Sequence, residues 1–180
     1  ILFLTYGLRI SELHQLNVSS FNFKRGEFTI YRKRDKEATM PLNNKTVLRS
    51  LTQYINEERL PDSKIAPGNE DALFLSLQGK RMTERQIREL VKKYSAIGMS
   101  TSKKAGYSPH KLRATAATSL IGRGNSIYDV QELMDHDHIT TTQLYAAHGM
   151  NVKRDLVSSF EWENEFDEMY FLEMPTANAE

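Results

Sequence analysis

One tyrosine, two arginines, one lysine and two histidines stand out in this chain as a set able to attack a phosphodiester. The scissile group carries its charge on two non-bridging oxygens, and an incoming nucleophile adds charge in the transition state. Planar guanidiniums donate in pairs and fit those oxygens better than point charges do. Arg9, in Gly7-Leu8-Arg9-Ile10-Ser11-Glu12-Leu13, and Arg113, in His110-Lys111-Leu112-Arg113, are candidates for the two halves of such a clamp. The leaving 5′ oxygen needs a proton, and Lys33 in the basic segment Arg32-Lys33-Arg34-Asp35-Lys36 is a candidate general acid. The nucleophile would be Tyr145, at the end of Thr140-Thr141-Thr142-Gln143-Leu144-Tyr145. A tyrosine hydroxyl titrates near pH ~10, so it must shed its proton as it attacks. His110 is the candidate acceptor or relay for that proton, and His136 the candidate donor to the phosphate. The product would be a phosphotyrosine, which keeps the bond energy for rejoining. Neither a metal nor any other cofactor is called for.

Those groups lie far apart in sequence, so a fold must gather them. The expected order of elements is mostly helical. Ile1, Leu4, Leu8 and Leu13 suit one face of a helix running to about His14. Glu27-Phe28-Thr29-Ile30-Tyr31 alternates like a half-buried strand. Thr39-Met40-Pro41-Leu42 reads as its hairpin partner with a basic tip between them, and Pro41 suits an edge. Asn44 is placed to cap a helix carrying Val47, Leu48, Leu51, Tyr54 and Ile55, stopped by Leu60-Pro61. Residues 61–72 read as loop and Leu73-Phe74-Leu75 as a short buried strand. Thr83 and Gln86 have capping-box spacing ahead of another amphipathic helix through Ile97. Ser100 to Gly106 is polar and reads as mobile. Ser108-Pro109 reads as a cap and first helical residue, starting a helix to about Ile121. A further helix begins at Asn125 or Ser126, a break follows at Asp135 to His138, and the next helix carries Tyr145. The fold class is therefore α+β, mainly α-helical, with one small antiparallel sheet.

Composition sets the partner. The chain has 180 residues and no Cys, which excludes disulfides and thiolate metal sites. No apolar run reaches the ~18 residues of a membrane span. The net charge of +1 conceals a division: all 24 Lys and Arg fall in residues 1–154 with 15 of the 23 acids, and the other 8 acids lie in 155–180. A basic body with an acidic tail suits a polyanion. Phe160 to Leu172 is amphipathic and acidic, and Pro175 to Glu180 is expected to be disordered.

In order and spacing, the four motifs resemble the boxes of the tyrosine recombinases, the family of phage integrases and Xer-type recombinases. The resemblance runs from Gly7 to about His148. Gly7 to Leu13 is similar to the box with the family's first arginine, His110-Lys111-Leu112-Arg113 to its His-x-x-Arg box, and Leu133-Met134-Asp135-His136 through Tyr145 to the box ending in the nucleophile. Lys33, eight residues before Pro41, resembles the family's hairpin lysine, with Lys36 as its rival. Glu12 matches an acidic position that supports the site. Two positions depart from the pattern: Asp135 stands where Gly is usual and Ala114 where His is usual. Asp135-His136-Asp137-His138 also admits a metal-site reading, but consecutive residues on one strand of chain are poorly spaced for it.

The resemblance implies the catalytic-domain fold of the tyrosine recombinases. It implies a site-specific DNA recombinase that cuts and rejoins strands through a 3′-phosphotyrosyl intermediate on double-stranded DNA. Residues 1–160 would be the catalytic domain and 161–180 an acidic, partly helical tail, with an N-terminal arm domain missing from the sequence. The full-length protein would act as a homo-tetramer on synapsed DNA in the cytoplasm, associated with the nucleoid, while the domain alone would be monomeric. The alternatives are a non-cleaving DNA-binding or regulatory protein of the same fold and a type IB topoisomerase.

Overall fold

The computed structural model describes residues 1–134 and Val157. The first helical stretch is two helices, α1 (Leu2–Tyr6) and α2 (Ile10–Gln15), rather than one running to His14. The break is Gly7, at φ 60°, which ends α1 with its N–H on the Phe3 carbonyl. Apolar spacing continues across it, but a left-handed residue ends a helix regardless of the spacing on either side. The break turns Arg9 into the residue that caps α2.

After a turn at Val18–Ser20 come β1 (Phe21–Asn22), β2 (Glu27–Tyr31) and β3 (Glu37–Pro41), an antiparallel sheet in that order. The hairpin pairs Phe28 with Met40 and Ile30 with Ala38. β1, too short to show alternation, is an addition to the expected pair. Pro41 lies in edge strand β3, where its missing N–H costs no ladder bond. The hairpin loop is Lys33–Asp35, and the Arg32 N–H donates to the Lys36 carbonyl at 2.8 Å to close it. Arg34 and Asp35 both sit at positive φ, 64° and 54°.

α3 (Lys45–Gln53) is capped by Asn44, whose side chain accepts from the Val47 N–H at 3.0 Å. Its last turn widens over Tyr54–Glu58 and the helix stops before Leu60-Pro61. Leu73-Phe74-Leu75 is not a strand: only the isolated bridges Asn17 to Ala72 and Leu75 to Arg81 form here. Leu73 is fully buried, but its N–H goes to the Leu16 carbonyl, so the segment packs as a tied loop. α4 (Glu84–Gly98) starts with the expected Thr83–Gln86 capping box. The Ser100–Gly106 link contains a turn at Lys103–Ala105, pinned by Lys103 Nζ to Glu89 at 2.7 Å. α5 (Pro109–Gly122) is capped by Ser108 with Pro109 at its first position, and α6 (Ile127–Met134) follows.

The core lies between α1, the sheet, α5 and α6. Tyr6, 1% exposed, meets Phe28 edge-on at 4.9 Å and donates its hydroxyl to the Pro41 carbonyl at 2.8 Å. Phe28 also stacks on Phe21 at 5.1 Å. Burying each such ring is worth about 1.5–3 kcal/mol. α5 packs on α1, and α2 on β2 and α4, so the Arg9 and Arg113 segments are parts of one packed body. Val157 is fully buried, and its carbonyl accepts from Asn44 at 3.2 Å.

Candidate active site

The site assembles where α1 meets α2. Gly7 turns the chain left-handed, and Arg9 then caps α2 in an extended conformation. Glu12, three residues into the helix, reaches back: one carboxylate oxygen accepts from the Arg9 N–H at 2.7 Å and the other from Arg9 Nη1 at 2.9 Å. A single buried side chain, 2% exposed, thus satisfies a helix-start N–H and orients the guanidinium. Arg9 itself stays about one quarter exposed, at 27%, and can meet a ligand.

Arg113 enters from α5 and is 8% exposed. It donates through Nη1 to the Gly7 carbonyl and through Nη2 to the Met134 carbonyl at 2.6 Å. A guanidinium has five N–H groups, so others are left for a further acceptor. Burial pushes its pKa down to about 10, Arg9 adds to that and Glu12 counters it. It is still protonated at neutral pH. The chain therefore keeps a cation in a partly dry place beside a second cation, an arrangement that suits an anion arriving between them.

A third arginine completes the cluster, and sequence reasoning gave it no role. Arg32 is 7% exposed and donates through Nη2 to the Leu133 carbonyl at 2.8 Å. Burial lowers its pKa, Glu12 and Glu132 counter that and Arg9 adds to it, so Arg9, Arg32 and Arg113 all lie in the field of Glu12. The signal for it was present in the sequence. Phe28 and Ile30 of β2 point inward, and Arg32 has the same parity, so it continues the buried face of the strand.

Lys33 and Lys36 are both exposed on the hairpin loop next to this cluster. His110 is exposed on the first turn of α5, one turn from Arg113. The neighbouring Lys111 rests its Nζ 3.9 Å over the Tyr107 ring. Ala114 is exposed and presents only a methyl group after Arg113. His136 and Tyr145, like Asp135 and the acidic tail, lie outside the described residues. Tyr6 and Tyr54 are unsuited to nucleophilic attack, since their hydroxyls donate to the Pro41 and Leu73 carbonyls. Among the described residues no cluster of His, Asp and Glu is set to hold a metal, and no helix is long and apolar enough to cross a membrane.

Residues 1–151 match the model of the phage integrase family. The chain is similar to a curated tyrosine recombinase XerD of Staphylococcus epidermidis, 32% identical over 154 residues, covering 86% of this chain and 50% of that protein. A tyrosine recombinase XerC of Mannheimia succiniciproducens is 34% identical over 139 residues, 77% of this chain and 44% of the relative. The chain thus spans about half the length of these relatives. Among solved structures, the XerA recombinase superposes with a TM-score of 0.61 at 22% identity, over 91% of this chain and 55% of that one. At that identity the likeness establishes the fold.

Proposed function

The chain belongs to the phage integrase family, the tyrosine recombinases, and from that premise we propose that it carries the strand-cutting and rejoining chemistry of a site-specific DNA recombinase. The observation that carries the proposal is the cluster itself. Arg9 is held by buried Glu12 and Arg113 by two carbonyls, the two feel each other's charge, and Arg32 of the same cluster adjoins the loop that bears Lys33, which supports a shared anion site. Arg113 also holds the Met134 carbonyl, the point from which the chain sets out toward His136 and Tyr145.

In this reading Tyr145 Oη attacks phosphorus and forms a phosphotyrosyl bond as the bond to the 5′ oxygen breaks. The tyrosine proton passes to His110. Lys33 gives a proton to the departing 5′ oxygen, which leaves as a hydroxyl. Arg9 and Arg113 stabilise the charge gathering on the non-bridging oxygens, and His136 donates to one of them. Rejoining runs the same path backward: a 5′ hydroxyl attacks the phosphotyrosine and Tyr145 departs. Glu12 acts through Arg9. Lys36 is the alternative acid. The partner is double-stranded DNA, and assembly is a homo-tetramer on two synapsed duplexes. Residues 1–160 form the catalytic domain and 161–180 an acidic tail.

The test is covalent trapping on a nicked suicide DNA duplex by the full-length protein. Wild type should form a protein–DNA adduct resistant to denaturant, and Tyr145→Phe should form none while binding DNA nearly as before. An adduct that persists in Tyr145→Phe moves the nucleophile elsewhere. DNA binding with no adduct from wild type points to a non-cleaving member of the fold. Relaxation of supercoiled DNA without site preference points to a type IB topoisomerase.

A further inference from the structure

The basic hairpin contains three exposed cations and one buried one. Lys33, Arg34 and Lys36 are exposed, while Arg32 is tucked beneath them. Alternation along β2 calls for an apolar side chain at this inward position, as at Phe28 and Ile30. Burying a guanidinium instead costs desolvation that an apolar residue of similar length would avoid. Its hydrogen bonds indicate what that cost accomplishes. Arg32 Nη2 donates to the Leu133 carbonyl at 2.8 Å, and Arg113 Nη2 donates to the very next carbonyl, that of Met134, at 2.6 Å. Both carbonyls belong to α6, so two guanidiniums from different elements hold adjacent carbonyls of one helix. Arg32 Nη2 also lies 3.7 Å from Met40 Sδ in the facing strand. Its backbone N–H closes the lysine loop on the Lys36 carbonyl. One residue therefore ties the base of the loop to Leu133 of α6.

We propose that Arg32 is a positioning residue: its buried guanidinium fastens the Lys33 loop to Leu133 of α6, and so fixes where the leaving-group acid stands relative to Arg9 and Arg113. This rests on the recombinase reading above and extends it. Arg32 touches no reacting atom. It acts through Lys33, whose amine must sit within a proton's reach of the 5′ oxygen. Without Arg32 the exposed loop keeps its sequence and charges but loses this hydrogen bond to Leu133, 101 residues away.

The experiment compares two suicide substrates, an ordinary phosphodiester and one with sulfur bridging at the 5′ position, which departs without needing a proton. The full-length protein is used as wild type, Lys33→Ala, Arg32→Met and Arg32→Lys. Arg32→Met keeps length and apolar fit but leaves the Leu133 carbonyl without this donor, so its melting temperature should fall by a few degrees at most while the fold is kept. Its cleavage of the ordinary substrate should slow by about 10- to 100-fold, the scale of a misplaced catalytic group. Sulfur should return it to near the wild-type rate. A purely structural role would give the same loss on both substrates, and that result overturns the proposal, as does unchanged cleavage of the ordinary substrate. Should Arg32→Met fail to fold, Arg32→Lys decides by the same comparison, since it keeps the charge and loses the planar fork. Rescue of Lys33→Ala without rescue of either Arg32 variant leaves the lysine acid standing and rejects Arg32. A Lys33→Ala variant that sulfur does not rescue removes the lysine acid and the proposal with it.

Discussion

Glu12 meets Arg9 directly, and its field also offsets Arg32 and Arg113. Glu12→Gln keeps size and one acceptor but leaves three guanidiniums without their shared counter-charge. Breaking a buried pair from one side costs about 3–5 kcal/mol, and chemical denaturation should show a loss near the lower figure because Arg9 is partly exposed. Arg9→Ala and Arg113→Ala should each slow adduct formation by roughly 10² to 10³, as loss of one preorganised oxyanion donor does. Single-turnover gels on the suicide substrate measure this; a change below tenfold in Arg9→Ala would remove it from the clamp. Arg9 and Arg113 could be singled out in the sequence because their boxes stand in order and spacing with two others, no single box being informative alone. Arg32 was not, since a lone arginine among Lys33, Arg34 and Lys36 reads as one more solvated charge. Only the inward parity it shares with Phe28 and Ile30 distinguishes it, and parity matters only once the strand is known to continue past Tyr31.

Between the elements, Gly7 has the most exacting position. It sits at φ 60°, and a Cβ there would collide with the Sδ and Cε of Met134, while its carbonyl accepts from Arg113. Gly7→Ala should lose about 1–2 kcal/mol for the left-handed backbone alone, read as a lower melting temperature. It should also slow cleavage, because the displaced Met134 begins the segment leading to His136. Full activity in that variant would show that the α1–α2 turn tolerates a shift. Element boundaries with a local chemical cause were readable in advance. Thr83 with Gln86, Ser108 with Pro109, and Asn44 each satisfy orphan N–H groups from within a few residues. The first helix and Leu73-Phe74-Leu75 were misjudged because apolar spacing reports burial more reliably than hydrogen bonding. Leu73 is buried as expected, but its N–H is taken by Leu16, far away in sequence.

At the scale of the whole chain, the division between a basic body and an acidic end sets two expectations. DNA affinity of the full-length protein should fall steeply with salt, by about 0.9 log unit per log unit of salt for each phosphate neutralised. A flat salt dependence in filter binding would contradict a backbone footprint. Deleting residues 161–180 removes acids that repel phosphate, so single-site affinity should hold or rise. The amphipathic Trp162, Phe166, Met169 and Tyr170 suit a groove on a neighbouring protomer, so assembly on paired sites should weaken. Unchanged cooperativity in a gel shift would reject that docking role. The crowding of Arg9, Arg32 and Arg113 around Glu12 has a thermodynamic consequence as well. Mutual repulsion among the three is relieved when an anion settles between them, so DNA binding and folding become linked equilibria. A ligand present at a hundred times its dissociation constant raises the unfolding free energy by about 2.7 kcal/mol. The melting temperature should therefore rise with duplex DNA, and rise less in Arg9→Ala; an equal rise in both would separate Arg9 from the phosphate.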